Sequence, residues 1–162
     1  ELAQIDAQTW VFGEGVPANA AVPRSARLAA LEATRGVPPA EEAGRWTPAE
    51  WQLFLETFPR PAEAAAMEAL DSRYHLSQSG NYEVLVSWLS LAVASDYPPA
   101  IARVQEVLGA VGRMKYLRPL YTALVRNKKT RATAREIFER HRRSYHPIAQ
   151  AMVEGLLGQL GS

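Results

Sequence analysis

The chain has 162 residues, is 48% hydrophobic and 22% charged, and carries a formal net charge of +1. That length and balance fit one globular domain with a real core and exclude a chain that is mostly disordered. With no cysteine, disulfides and thiolate metal sites are excluded, and the longest apolar run, Val84 to Ala94, is well short of the roughly 18 residues a membrane-spanning helix needs.

The sequence opens ELAQIDAQTW, without an initiator methionine, a basic n-region or an apolar h-region, which predicts a piece of a longer polypeptide rather than a signal peptide. The compartment stays open, with the cytoplasm favoured. Residues 1 to 110 hold 7 basic and 14 acidic side chains, whereas residues 111 to 146 hold 11 basic and 2 acidic. A late basic block of this kind attracts an anionic ligand, a nucleic acid or an acidic neighbouring surface, or it is simply a solvated helix face.

The predicted elements are helices nearly throughout. In SARLAALEATRG, Ser25 is placed to cap a helix, Leu28 and Leu31 share a face, and Gly36 supplies a left-handed stop before Pro38 and Pro39. In TPAEWQLFLETFP, Thr47 with Glu50 three residues on forms a capping box, Pro48 takes the first helical position, and Trp51, Leu53, Phe54, Leu55 and Phe58 follow. Residues 61 to 73 are alanine-rich, with Met67 and Leu70 on one side. The segment from Asn81, NYEVLVSWLSLAVASD, is apolar almost all round and is therefore expected to be the central helix.

Beyond Pro98 and Pro99, Ile101, Val104, Val107 and Leu108 keep helical spacing up to a stop near Gly109 and Gly112. Leu117, Leu120, Tyr121 and Leu124 form the next stripe, with Pro119 tolerated near that helix's start. Thr130 is expected to cap RATAREIFERHRR, whose Ala134, Ile137 and Phe138 face inward. Pro147 opens a closing helix with Ile148, Met152, Val153, Leu156 and Leu157 as its apolar face. About seven to nine helices joined by short Pro/Gly turns predict an all-α fold of antiparallel helix pairs in two layers, an armadillo/HEAT-like α-solenoid superhelix. No internal sequence repeat supports it independently.

Little in the chain carries chemistry of its own. His75, His141 and His146 form no HExxH, and His141 and His146 lie about 140° apart around a helix, off the shared face that zinc ligation needs. No P-loop, Rossmann glycine pattern or nucleophile elbow is present. Glu41 and Glu42 look like solvated loop carboxylates, Trp51, Trp88 and Phe138 like core residues, and Arg126, Lys128, Lys129 and Arg131 like a solvated turn. These features read as a binding or scaffolding module, with no catalytic residue and no metal site.

The stretch GRMKYLRPLY, residues 112 to 121, is more specific. Gly112-Arg113-Met114-Lys115-Tyr116 with Arg118-Pro119-Leu120-Tyr121 resembles the C-terminal domain of the leukotriene A4 hydrolase/aminopeptidase B group of M1-family zinc aminopeptidases. FERHRRSYHP, residues 138 to 147, matches that family's late pattern, with His141 and His146-Pro147 in place. DAQTWVFGEGVP, residues 6 to 17, is similar to the segment that leaves the catalytic domain.

The resemblance implies residues 1–22 as the tail of a catalytic domain and linker, and 23–162 as the helical C-terminal domain. It implies a zinc ion and its HExxH in the parent's preceding domain, none of it in this chain, which alone is expected to be inactive. It further implies that Arg113 and Lys115 project into the substrate cleft and bind the free carboxylate of a peptide, or of a fatty-acid epoxide in members with that second activity. Arginine offers a forked bidentate donor and lysine a point charge, a pair suited to a small planar anion. The partners expected are the catalytic domain of the same polypeptide and the peptide substrate, with no nucleic acid and no membrane. Two competing expectations stand beside this one. Arg113 and Lys115 could only bridge to acidic helices within residues 1 to 110. The whole could also be a stand-alone helical-repeat module that binds an acidic protein or nucleic acid through its basic 111–146 region.

Overall fold

The computed structural model describes residues 25–158, preceded by Phe12 and Glu14 alone. Apart from those two residues, the expected catalytic-domain tail and linker at residues 1–22 lies outside the described residues. Within residues 25–158, nine α-helices follow one another: α1 (Ala26–Ala33), α2 (Ala40–Ala43), α3 (Pro48–Thr57), α4 (Ala64–Tyr74), α5 (Tyr82–Ala94), α6 (Pro99–Ala110), α7 (Met114–Arg126), α8 (Arg131–His141) and α9 (Pro147–Gly158). Short 3-10 turns occupy Leu76–Gln78 and Arg142–Ser144, and there is no strand among the described residues.

The helices fall into two layers. In one, α1 packs on α3, α3 on α5, α5 on α7 and α7 on α9; in the other, α6 packs on α8, and α5 to α9 also contact their sequence neighbours. This is the all-α, antiparallel-pair superhelix that the helix lengths predict. Nine of the residues of α5 are buried, among them Leu85, Trp88, Leu89 and Leu91, because neighbours cover this helix on most sides. Burying each such side chain contributes roughly 1.5 to 3 kcal/mol. Polar atoms inside this core are matched: Trp88 donates its indole N–H to Ser77 Oγ at 2.9 Å, and Ser77 donates in turn to Asp71 at 2.7 Å.

Several helix ends differ from expectation. Ser25 does cap α1, accepting from Leu28 N, and Thr47 with Glu50 closes the full capping box on α3. The chain leaves α1 at Thr34 in an extended conformation, however, and Gly36 has no left-handed backbone. The left-handed positions are His75 (φ 51°), which ends α4, and Asp96 (φ 54°), just past α5. Thr130 precedes α8 without capping it; its hydroxyl donates back to Leu124 O at 2.8 Å and closes α7 instead. Pro119 sits at the sixth position of α7, where its missing N–H leaves the Lys115 carbonyl without a helical donor. Leu28 and Ile148, expected on buried faces, are exposed, and Glu41 and Glu42 lie on the short helix α2, not in a loop.

Across α6 and α7, Tyr121 and Tyr145 share a buried hydroxyl contact of 3.1 Å, and Tyr145 donates onward to Leu108 O at 2.7 Å. Burial pushes both phenols above their ordinary range. Asp96 joins the far ends of α5 and α7, accepting from Asn127 Nδ2 at 2.8 Å and Lys129 Nζ at 2.6 Å. The odd-numbered layer is thereby tied at its far end, and the start of α7, with its cations, is set beside the start of α5.

Candidate functional site

The basic stretch begins where α7 begins. Arg113 is the N-cap, in an extended conformation, and its carbonyl accepts from Tyr116 N at 2.9 Å and Leu117 N at 3.1 Å. Its backbone is therefore fixed while its side chain is exposed, and the guanidinium makes no hydrogen bond or ion pair among the described residues. Lys115, two residues later, is also exposed, but its ammonium lies 2.7 Å from Glu83 Oε1. Tyr116 donates its hydroxyl to the same oxygen at 3.0 Å, and its ring lies tilted against Tyr82 with centroids 5.7 Å apart. Among the described residues, Lys115 thus bridges to an acidic helix and Arg113 does not.

Glu83 occupies the first turn of α5, where the helix dipole favours a carboxylate. The Lys115 ammonium beside it holds its carboxyl below the ordinary range, with help from the Tyr116 hydroxyl and, at longer reach, the Arg113 charge. A groove of about 480 Å³ opens here, lined by Glu56, Glu83, Ser87, Lys115, Tyr116 and Pro119. A second depression of about 640 Å³ shares Arg60, Ser90 and Pro119 with it and continues past Arg118 and Arg126. Arg118, Arg126 and Lys128 make no ion pair among the described residues. The predicted solvated turn is only half so: Lys129 is tied to Asp96, and Arg131 Nε donates to Val125 O at 2.9 Å, satisfying the end of α7.

The histidines have local duties. His141 packs its ring against Gly109, and His146 Nδ1 accepts from Ile148 N at 3.3 Å at the start of α9. Among the described residues, no three His, Asp or Glu side chains gather in a way that could hold a metal ion. Trp88 and Phe138 are core residues, and Trp51 is half-buried against Trp46 and Tyr74. Sequence reasoning missed Glu83. An acid two residues past the capping Asn81 is a legible helix-start signal, but the identity of the cation facing it depends on how α5 and α7 pack.

The family model described as leukotriene A4 hydrolase, C-terminal, matches residues 46–157. The chain belongs to the leukotriene A4 hydrolase C-terminal family. Leucine aminopeptidase 2 from Neurospora crassa is 37% identical over 124 residues, which cover 75% of this chain and 18% of that protein. Leucine aminopeptidase 2 from Emericella nidulans is 30% identical over 165 residues, covering 94% of this chain and 26% of the relative. The fold of this leukotriene A4 hydrolase C-terminal domain is also that of part of native yeast LTA4 hydrolase, with a TM-score of 0.75 at 22% identity over 97% of this chain and 30% of that one. The chain thus spans about a fifth to a quarter of the curated relatives it matches.

Proposed function

We propose that this domain forms one wall of the substrate cleft of a zinc metalloaminopeptidase, that it docks on the catalytic domain of the same polypeptide, and that Arg113 and Lys115 anchor the substrate's free carboxylate. The parent enzyme removes N-terminal residues from peptides, in keeping with the leucine aminopeptidase 2 relatives. In a member with the second activity, the same anchor would take the carboxylate of a fatty-acid epoxide. The observation that carries the reading is Arg113: an exposed guanidinium on a fixed backbone, without an internal partner among the described residues, two residues before Lys115, which lines a groove.

A guanidinium fork matches the two oxygens of a carboxylate, and a lysine ammonium adds a second, rotatable donor. Holding the far end of a short peptide sets the position of its N-terminal peptide bond, so the contribution to rate is one of orientation. Zinc, when bound by the preceding domain, supplies the Lewis acid and the activated water; the residues described here have the task of placing the substrate. The helical-repeat alternative has less support. Between residues 111 and 146, Lys115, Lys129, Arg131 and Arg142 are each engaged inside the fold, Arg142 with Glu139 and Glu154, which reduces the cations that block would offer an acidic protein or nucleic acid.

The test is Arg113→Ala in the full-length polypeptide. For a tripeptide with a free carboxylate, kcat/KM should fall by about 10- to 1,000-fold, or about 1.4 to 4 kcal/mol. The C-terminal amide of the same tripeptide should lose much less. Equal losses on the two substrates would reject carboxylate anchoring.

A further inference from the structure

We infer that Glu83 is a positioning residue for Lys115, fixing the ammonium at the groove mouth so that its remaining donors meet the ligand's carboxylate. The inference rests on the anchor reading above and adds to it a residue from another helix.

A lysine on a free four-carbon stem samples many rotamers, and ordering it for a ligand costs side-chain entropy. Glu83 removes part of that cost in advance. Its Oε1 lies 2.7 Å from Lys115 Nζ, and an ammonium has three donors, so two stay free for a ligand. The carboxylate that does the holding is itself held. Tyr116 donates to the same oxygen at 3.0 Å, and Asn81 Oδ1 accepts the Glu83 backbone N–H at 2.9 Å. Beneath these contacts lies α5, the most deeply buried helix, so the frame that carries Glu83 is rigid. Arg113, with no such partner among the described residues, is left to adapt to the ligand. Electrostatics point the same way. With Arg113 beside it, the groove's charged lining of Arg60, Lys115, Glu56 and Glu83 sums to a net single positive charge, matched to one carboxylate, where cations without these acids would also attract dianions.

The experiment is a double-mutant cycle in the full-length enzyme, read with a tripeptide carrying a free carboxylate and with its amide. Glu83→Ala should raise KM for the free acid by about 3- to 30-fold with kcat within about twofold, and should leave the amide unchanged. Glu83→Gln, which keeps an acceptor in the same place, should stay within about threefold of the wild type. In a Lys115→Ala background, Glu83→Ala should add nothing. Tyr116→Phe, which releases one of the contacts that fix Glu83, should produce a smaller rise of the same selectivity, and it answers the question even if Glu83→Ala folds poorly. An unchanged or lowered KM in Glu83→Ala, or a loss that persists without Lys115, overturns the inference. If Lys115→Ala and Arg113→Ala show no preference for the free acid, the anchor reading falls and this one falls with it. If they do and the Glu83 variants do not, only this inference fails.

Discussion

Gly109 shows how a glycine read from sequence as part of a stop signal is also explained by packing. Gly109 and Gly112 predict a helix stop nearby, and α6 does end at Ala110, between them. A Cβ built there would lie 2.9 Å from His141 Cε1 and 3.2 Å from its Nε2, closer than atoms normally approach. Glycine leaves α8 room to bring an imidazole against α6. Alanine is the better helix former by about 1 kcal/mol, but its methyl would have to push aside the ring end of the half-exposed His141 side chain. Gly109→Ala should therefore gain less than about 1 kcal/mol in urea unfolding, and in a His141→Ala background the same change should gain the full amount. An equal gain in both backgrounds would assign the effect to the backbone alone. A helical glycine and a terminal glycine look alike in sequence, because what lies opposite is set by a residue 32 positions later.

Among the elements, the start of α3 was legible in full because everything that forms it is local. Thr47 Oγ1 accepts from Glu50 N, and Glu50 Oε2 accepts from Thr47 N at 2.8 Å and its hydroxyl at 2.9 Å. Thr47→Ala should cost about 1 kcal/mol. What the local pattern did not contain is Arg27, which reaches from α1 to the same Glu50 carboxylate. The Arg27 guanidinium, with the Thr47 backbone N–H next in weight, holds the Glu50 carboxyl down to about 2 from an ordinary 4.5. The sign follows from linkage. A group depressed in the folded state adds stability that is full above its unfolded value and is lost as pH falls through the folded one. Thermal melts should therefore show the wild type's advantage over Glu50→Gln intact above pH 4.5 and shrinking towards pH 2. A difference independent of pH would mean that Glu50 acts by packing alone. The stop of α1 and the missing cap of α8 were illegible for a related reason: Thr34 and Thr130 hydrogen-bond backward, to Ala30 O and Leu124 O, and sequence spacing does not choose between forward and backward partners.

For the molecule as a whole, periodicity gave the fold class because amphipathic stripes of 8 to 13 residues, separated by Pro and Gly, leave little else than stacked helix pairs. Its limits show at the faces that periodicity assigns to a core: Leu28 and Ile148 stay exposed, 45% and 64%, on the outer helices α1 and α9 where the described residues offer no further layer. The site was legible only as a pair of cations with an unusual neighbourhood. That Lys115 is held by Glu83, while Arg113 has no partner among the described residues, comes from the packing of α5 on α7, across 32 residues of sequence. The most direct measurement is a crystal structure of the full-length polypeptide with a slowly cleaved tripeptide bound. The peptide's C-terminal carboxylate should lie within hydrogen-bond distance of both the Arg113 guanidinium and the Lys115 ammonium, with Lys115 still on Glu83. A carboxylate bound elsewhere, with Arg113 buried in an ion pair against the catalytic domain, would contradict carboxylate anchoring.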